Sequence, residues 1–139
     1  VLGQLARVDE LVTRRIEVAK LFSDIVDGVD WLEAQFTPSH CVNSYWTFVV
    51  KLSHKQITWH EFRDKYQEFG GDGIYAPWKL TYQEPFYENI AHKELAPFCP
   101  VAEELQRTLL CFKTNYWCWN EAKTQAEILS RTLEFFETF

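Results

Sequence analysis

From Leu2 to Val26 the apolar residues recur at steps of three and four: Leu2, Leu5, Val8, Val12, Ile16, Ala19, Phe22 and Val26. That spacing gathers them on one face and predicts a single amphipathic helix, with Asp27-Gly28 as its stop. Glu10 and Arg14 stand at i,i+4 on it, where an ion pair would support the helix. A short strand is expected over Trp31 to Phe36, closed by Pro38. The run Ser44 to Leu52 is β-branched and aromatic, apolar on both faces, and so predicts the central strand. Thr58-Trp59-His60-Glu61 has the form of a capping box and opens a helix with Trp59, Phe62, Tyr66 and Phe69 on one face, ended by Gly70-Gly71. A third strand is expected over Gly73 to Trp78, then a long loop from Lys79 to Pro97. Pro100 suits a first helical position ahead of Ala102, Leu105 and Leu109. Leu110 to Lys113 predicts a short strand, and Asn120 a cap for a last helix with Ala122, Ala126, Leu129, Leu133 and Phe136 inward. The order α-β-β-α-β-loop-α-β-α predicts an α+β domain: a small, mostly antiparallel sheet with helices packed on one face.

At 139 residues the chain is one domain by size, long enough to bury roughly 68% of the surface its unfolded form exposes. Its aromatic share is high: six Trp, six Tyr and eleven Phe exceed what one core needs, which points to rings lining a groove or an interface. Twenty acidic residues against fourteen basic leave a net charge of −6, a surface that repels phosphate backbones, so no nucleic-acid partner is expected. No apolar run is long enough to cross a bilayer, and a cytoplasmic setting without a membrane partner is the expectation. Cys41, Cys99, Cys111 and Cys118 form no CxxC pair and share no ligand spacing with His40, His54, His60 and His92, so no metal site is expected. The sequence holds no Met and starts with helical spacing already running and no cap, as expected of a C-terminal fragment whose beginning lies elsewhere.

No nucleophile–base motif, Gly-rich phosphate loop or zinc-protease helix is present, and no catalytic residue is expected in this chain. Gly70-Gly71-Asp72-Gly73 follows a helix and precedes a strand, the reverse of what a phosphate loop requires, and reads as a helix stop. Asp72 and Glu84 are not tied closely enough to form an acid/base pair. Lys79, among Tyr75, Trp78 and Tyr82, has the setting in which a lysine can turn into a Schiff-base amine, but a loop lysine at a solvent edge is the simpler reading. The aromatic loop carries Tyr75, Trp78, Tyr82, Phe86 and Tyr87, rings that either stack on a sugar or a base, with Lys79 placed to meet a phosphate or carboxylate, or pin the segment to its own domain by closing the core against the last helix.

Four segments, in order, resemble the sugar-nucleotide aminotransferases of the DegT/DnrJ/StrS group, relatives of aspartate aminotransferase in fold. Leu2-Gly3-Gln4-Leu5-Ala6-Arg7-Val8-Asp9-Glu10-Leu11-Val12, with Arg14-Arg15, is similar to a helix of that family. Ser44-Tyr45-Trp46-Thr47-Phe48 resembles its central strand. Gly73-Ile74-Tyr75-Ala76-Pro77 through Tyr87 resembles its aromatic loop, and Val101-Ala102-Glu103-Glu104-Leu105 a helix start. Three positions depart: Asn43, Tyr75 and Thr81 stand where histidines are common. The resemblance implies the small C-terminal domain of a fold-type I pyridoxal-phosphate enzyme, its cofactor lysine and phosphate site lying in an upstream large domain. It implies transfer of an amino group from glutamate to a keto-sugar nucleotide, the cofactor supplying the electron sink.

The intact parent is thus expected to be an enzyme and this chain alone not, with no cofactor of its own. Tyr75, Trp78, Lys79, Thr81 and Tyr82 are the expected substrate-proximal residues. The expected partner is the large domain or, through an exposed apolar face, a second copy. The alternative is a free-standing, non-catalytic domain that binds a nucleotide sugar or a protein.

Overall fold

The computed structural model describes residues 2–75, 78–88 and 99–138. Three strands, β1 (Leu32–Ala34), β2 (Thr47–Leu52) and β3 (Leu109–Lys113), form an antiparallel sheet in the order β1-β2-β3. The expected central strand is central. Leu32 pairs with Leu52 and Ala34 with Val50 on one side of it, Phe48 with Phe112 and Val50 with Leu110 on the other.

Alternation along β2 decides which face is inside. Phe48, Val50 and Leu52 are buried, with Leu110 and Phe112 beside them, while Thr47, Val49 and Lys51 on the opposite face are half-buried. The inner face is covered by α2 (Val8–Val26), α3 (Trp59–Glu68) and α6 (Trp119–Glu137). Phe22 of α2 stacks on both Phe48 and Phe112, with ring centroids 5.8 and 5.6 Å away. Across the other face lies the shorter α5 (Pro100–Thr108), tied to β2 by a Lys51–Glu104 ion pair of 2.7 Å. The architecture is the expected α+β layer, with three helices on the core face and one small helix on the far side.

Several elements differ from the sequence expectation. The first helix is broken: α1 (Leu2–Leu5) and α2 are separated by a turn at Ala6-Arg7. Periodicity continues across the break, yet Leu2, Leu5 and Val8 are exposed, and buried positions start only at Val18. Glu10 pairs with Arg7, by two bonds of 3.0 and 2.9 Å, rather than with Arg14, because Arg14 donates to the carbonyl of Trp117. β1 is shorter than expected, and Phe36 lies 83% exposed beyond it. β2 starts at Thr47, not Ser44. The Asn43 side chain accepts from the Tyr45 N–H at 2.9 Å, and Tyr45 takes a left-handed φ of 47°, which no strand residue can hold. Among the described residues of the third expected strand there is a single bridge, Tyr75 with Cys111; Ala76 and Pro77 lie outside them. The long loop contains a 3-10 turn (Thr81–Gln83) and α4 (Pro85–Glu88), and its remainder to Pro97 also lies outside them. Leu109 is the first residue of β3 rather than a helix residue. α6 starts at Trp119, after Cys118 in extended geometry, so Asn120 sits within its first turn and is not the cap.

The capping box of α3 is present in full. Glu61 N–H donates to the Thr58 hydroxyl, and the Glu61 carboxylate accepts from Thr58 N–H at 2.8 Å, which holds that carboxyl below its usual range. Gly70, with φ of 94°, ends the helix. Beyond it a buried polar knot ties α3 to α6. The Gln125 carboxamide oxygen accepts from Tyr66 OH at 2.7 Å and from Asp72 N–H at 2.7 Å. Burial pushes the Tyr66 phenol far above its ordinary pKa, so it stays a donor throughout the physiological range.

Candidate functional site

The aromatic segment is laid over α5 and fastened to it. Gln106, on the second turn of α5, donates from one amide nitrogen to the Trp78 carbonyl at 2.6 Å and to the Gln83 side chain at 2.8 Å. Gln83 in turn accepts from Leu80 N–H at 3.1 Å, which shapes the 3-10 turn. Tyr82 donates its phenol proton to Glu103 at 2.6 Å. After the Tyr75 bridge, the next polar partners of the described segment are on α5.

The five expected site residues fall into two groups. Trp78 and Tyr82 belong to one assembly, through Gln106 and Glu103. Tyr75, Lys79 and Thr81 are exposed beside it, and Lys79 makes no ion pair among the described residues. Trp78 is 59% exposed and meets Trp46, itself 69% exposed, with centroids 6.4 Å apart and planes tilted by 48°. Two large, half-free rings side by side form a platform of the kind that stacks on a sugar or base. The competing possibility, rings closing the domain's own core against the last helix, does not fit these exposures.

Trp46 was missed as a member of this group because the strand pattern claimed it. Its position is set by side chains far along the chain. The Thr114 hydroxyl donates to the Tyr45 carbonyl at 2.6 Å, and Arg15 donates to the Trp46 carbonyl at 2.9 Å. With Asn43 these contacts hold the bend that turns Trp46 outward. Gln106 and Glu103 were also missed, since a polar residue on a short exposed helix carries no signal by itself.

Bonding to the Glu103 carboxylate raises the Tyr82 phenol to about 12. The sign is that of a group whose folded pKa lies above its unfolded value, ordinarily about 10. The stabilisation from this bond is complete below about pH 10 and is lost as pH rises through about 12. Alkaline ultraviolet titration should therefore show a phenol ionising near pH 12 that is missing in Tyr82→Phe, while the buried phenols of Tyr66 and Tyr116, raised further still, ionise later in both proteins.

Among the described residues no cluster of His, Cys, Asp or Glu could hold a metal ion, and no helix is long and apolar enough to cross a membrane.

A small antiparallel sheet, with paired long helices inside and an aromatic segment docked on a short helix outside, defines the domain class. No family model matches the sequence, and no curated protein matches it. Solved structures do. The aminotransferase TlmJ from Streptoalloteichus hindustanus matches with a TM-score of 0.70 at 19% identity, over 96% of this chain and 35% of its own. Helicobacter pylori PseC, an aminotransferase involved in the biosynthesis of pseudoaminic acid, matches with a TM-score of 0.74 at 17% identity, over 97% of this chain and 36% of its own. A DegT DnrJ EryC1 StrS aminotransferase from Brucella abortus matches with a TM-score of 0.67 at 17% identity, over 93% and 33%. The fold is therefore the one that aminotransferases of this type contain, and the chain spans about a third of the length of each.

Proposed function

We propose that this chain is the C-terminal domain of a pyridoxal-phosphate-dependent aminotransferase that moves an amino group from glutamate to a keto-sugar nucleotide. In this reading the domain is one unit of a longer, cytoplasmic enzyme and forms a wall of the substrate site. The observation that carries it is the exposed Trp46–Trp78 pair on an aminotransferase-type fold, beside an aromatic segment pinned to α5. The four family-like segments all fall in described parts of this fold, apart from Ala76 and Pro77.

Pyridoxal phosphate supplies an electron sink when bound, and it needs a lysine held beside an anion site. The surroundings of Lys79 do not fit that requirement. Lys79 is exposed on a surface segment rather than enclosed, and the polar groups fastened nearby, Gln83, Gln106 and Glu103, do not form a phosphate cradle. In our reading the cofactor belongs to the large domain, and this chain contributes binding and orientation alone. Exposed Leu2, Leu5 and Val8 on α1 and the start of α2 are the apolar stripe that the large domain, or in its absence a second copy, would cover.

Titration of the chain with a nucleotide sugar, followed by Trp emission, tests the reading. Weak saturable binding is expected, and Trp78→Ala should reduce the emission change at least fivefold while leaving the melting temperature within about 2 °C. An emission change that Trp78→Ala and Trp46→Ala both leave untouched would rule this platform out.

A further inference from the structure

A second feature lies on the other side of the Tyr45–Trp46 bend, independent of the aminotransferase reading. Arg7, Arg14 and Arg15 line one cleft of about 280 Å³, with Thr114, Asn115, Tyr116 and Trp117 from the segment after β3, and Leu11 and Gln4 from the first helices. No carboxylate is among its lining residues. Glu10 pairs with Arg7, so the cleft's uncompensated charge rests mainly on Arg14 and Arg15, two guanidinium groups on one cleft of a chain with net charge −6.

The arginines are also held in place. Arg14 is anchored by the Trp117 carbonyl and Arg15 by the Trp46 carbonyl at 2.9 Å and, more weakly, the Thr114 hydroxyl at 3.4 Å. Each anchor uses one terminal nitrogen of a five-proton fork, which leaves N–H groups for a ligand. Arg7 is braced by Glu10, outside the cleft lining. A planar fork fixed at one nitrogen loses little freedom when its remaining donors bind an oxyanion, and it suits tetrahedral phosphate through paired bonds.

We propose that this cleft binds a phosphate or pyrophosphate group, with Arg14 and Arg15 as the principal donors, Arg7 as the outer charge and Asn115 as a neutral donor. Trp117 is 81% exposed at the rim and offers a flat surface for the body that carries the phosphate. Arg14 and Arg15, with Arg7 behind them partly offset by Glu10, match a multiply charged anion better than a single carboxylate.

The experiment uses the 139-residue chain and inorganic pyrophosphate, followed by the arginine Nε–H resonances in nitrogen-resolved NMR. Saturable shifts of Arg14 and Arg15 are expected, with affinity falling severalfold between 50 and about 200 mM salt. Arg14 and Arg15 also hold carbonyls, so their replacement can disturb folding. The decisive variant is instead Asn115→Asp, which places a carboxylate in the lining at an exposed position and removes no arginine. It should weaken pyrophosphate binding at least tenfold with an unchanged melting temperature, and Arg7→Gln should weaken it about threefold. Equal affinity of Asn115→Asp and the parent would overturn the proposal, as would the absence of saturable shifts up to about 10 mM. Citrate binding as tightly as pyrophosphate would overturn the assignment to phosphate.

Discussion

Truncating Phe22 to alanine should cost about 3–5 kcal/mol of folding free energy, a large share of the roughly 5–15 kcal/mol that holds a domain of this kind together. Phe22 is fully buried and stacks on Phe48 of β2 and Phe112 of β3, so one ring joins α2 to both longer strands. Removing it leaves a cavity against the sheet, which cannot collapse into it without disturbing the pairing of β2 with β3. Urea unfolding should show a lower midpoint with an unchanged slope. Leu5→Ala is the control: at 63% exposure it should shift stability by less than about 0.5 kcal/mol, although the sequence pattern puts Leu5 and Phe22 on the same stripe. Equal losses at the two sites would refute the assignment of the core to the second half of that stripe.

Gly71→Ala is expected to be nearly as damaging, at about 3 kcal/mol, through overpacking rather than a cavity. A Cβ at Gly71 would lie 2.3 Å from two carbons of the Tyr66 ring. That ring is buried at 1% exposure, packs edge-on against Phe112 and is fixed through its hydroxyl by Gln125. It cannot swing away without breaking the Tyr66–Gln125 bond, and the same Gln125 oxygen holds Asp72 N–H. The expected signature is a loss of both stability and the ordered environment of Tyr66 in near-ultraviolet circular dichroism. Gly73→Ala, where an added Cβ meets nothing within 4 Å, should be close to neutral. If Gly71→Ala proved equally neutral, the ring would have to be far more mobile than its hydrogen bond implies.

The two positions also mark how far the sequence could be read. Gly70-Gly71 is legible as a helix stop, and Gly70 does that work with φ of 94°. That Gly71 must lack a side chain is invisible in the sequence, because the obstacle is a ring five residues earlier that the helix end folds back over. The site shows the same division. Trp78 and Tyr82 stand out as rings in a long loop, whereas Trp46, Gln106 and Glu103 join them only through contacts between 21 and 32 residues apart in the chain.

Local chemistry alone determined the helices α2, α3, α5 and α6, the capping box at Thr58 and Glu61, the centrality of β2 and the α+β class. Each rests on residue period, backbone preference or a bond between near neighbours, and these act wherever the segment sits. Tertiary structure decided where the apolar stripes stop being core, which residues of Ser44 to Trp46 leave the strand, and that the described residues of the expected third strand keep one bridge. The last two outcomes involve competition for backbone groups: with Asn43 holding the Tyr45 N–H, Thr114 and Arg15 take the Tyr45 and Trp46 carbonyls, and Gln106 takes that of Trp78. A carbonyl bound by a side chain has less to offer a neighbouring strand, and no periodicity records which side chain will arrive.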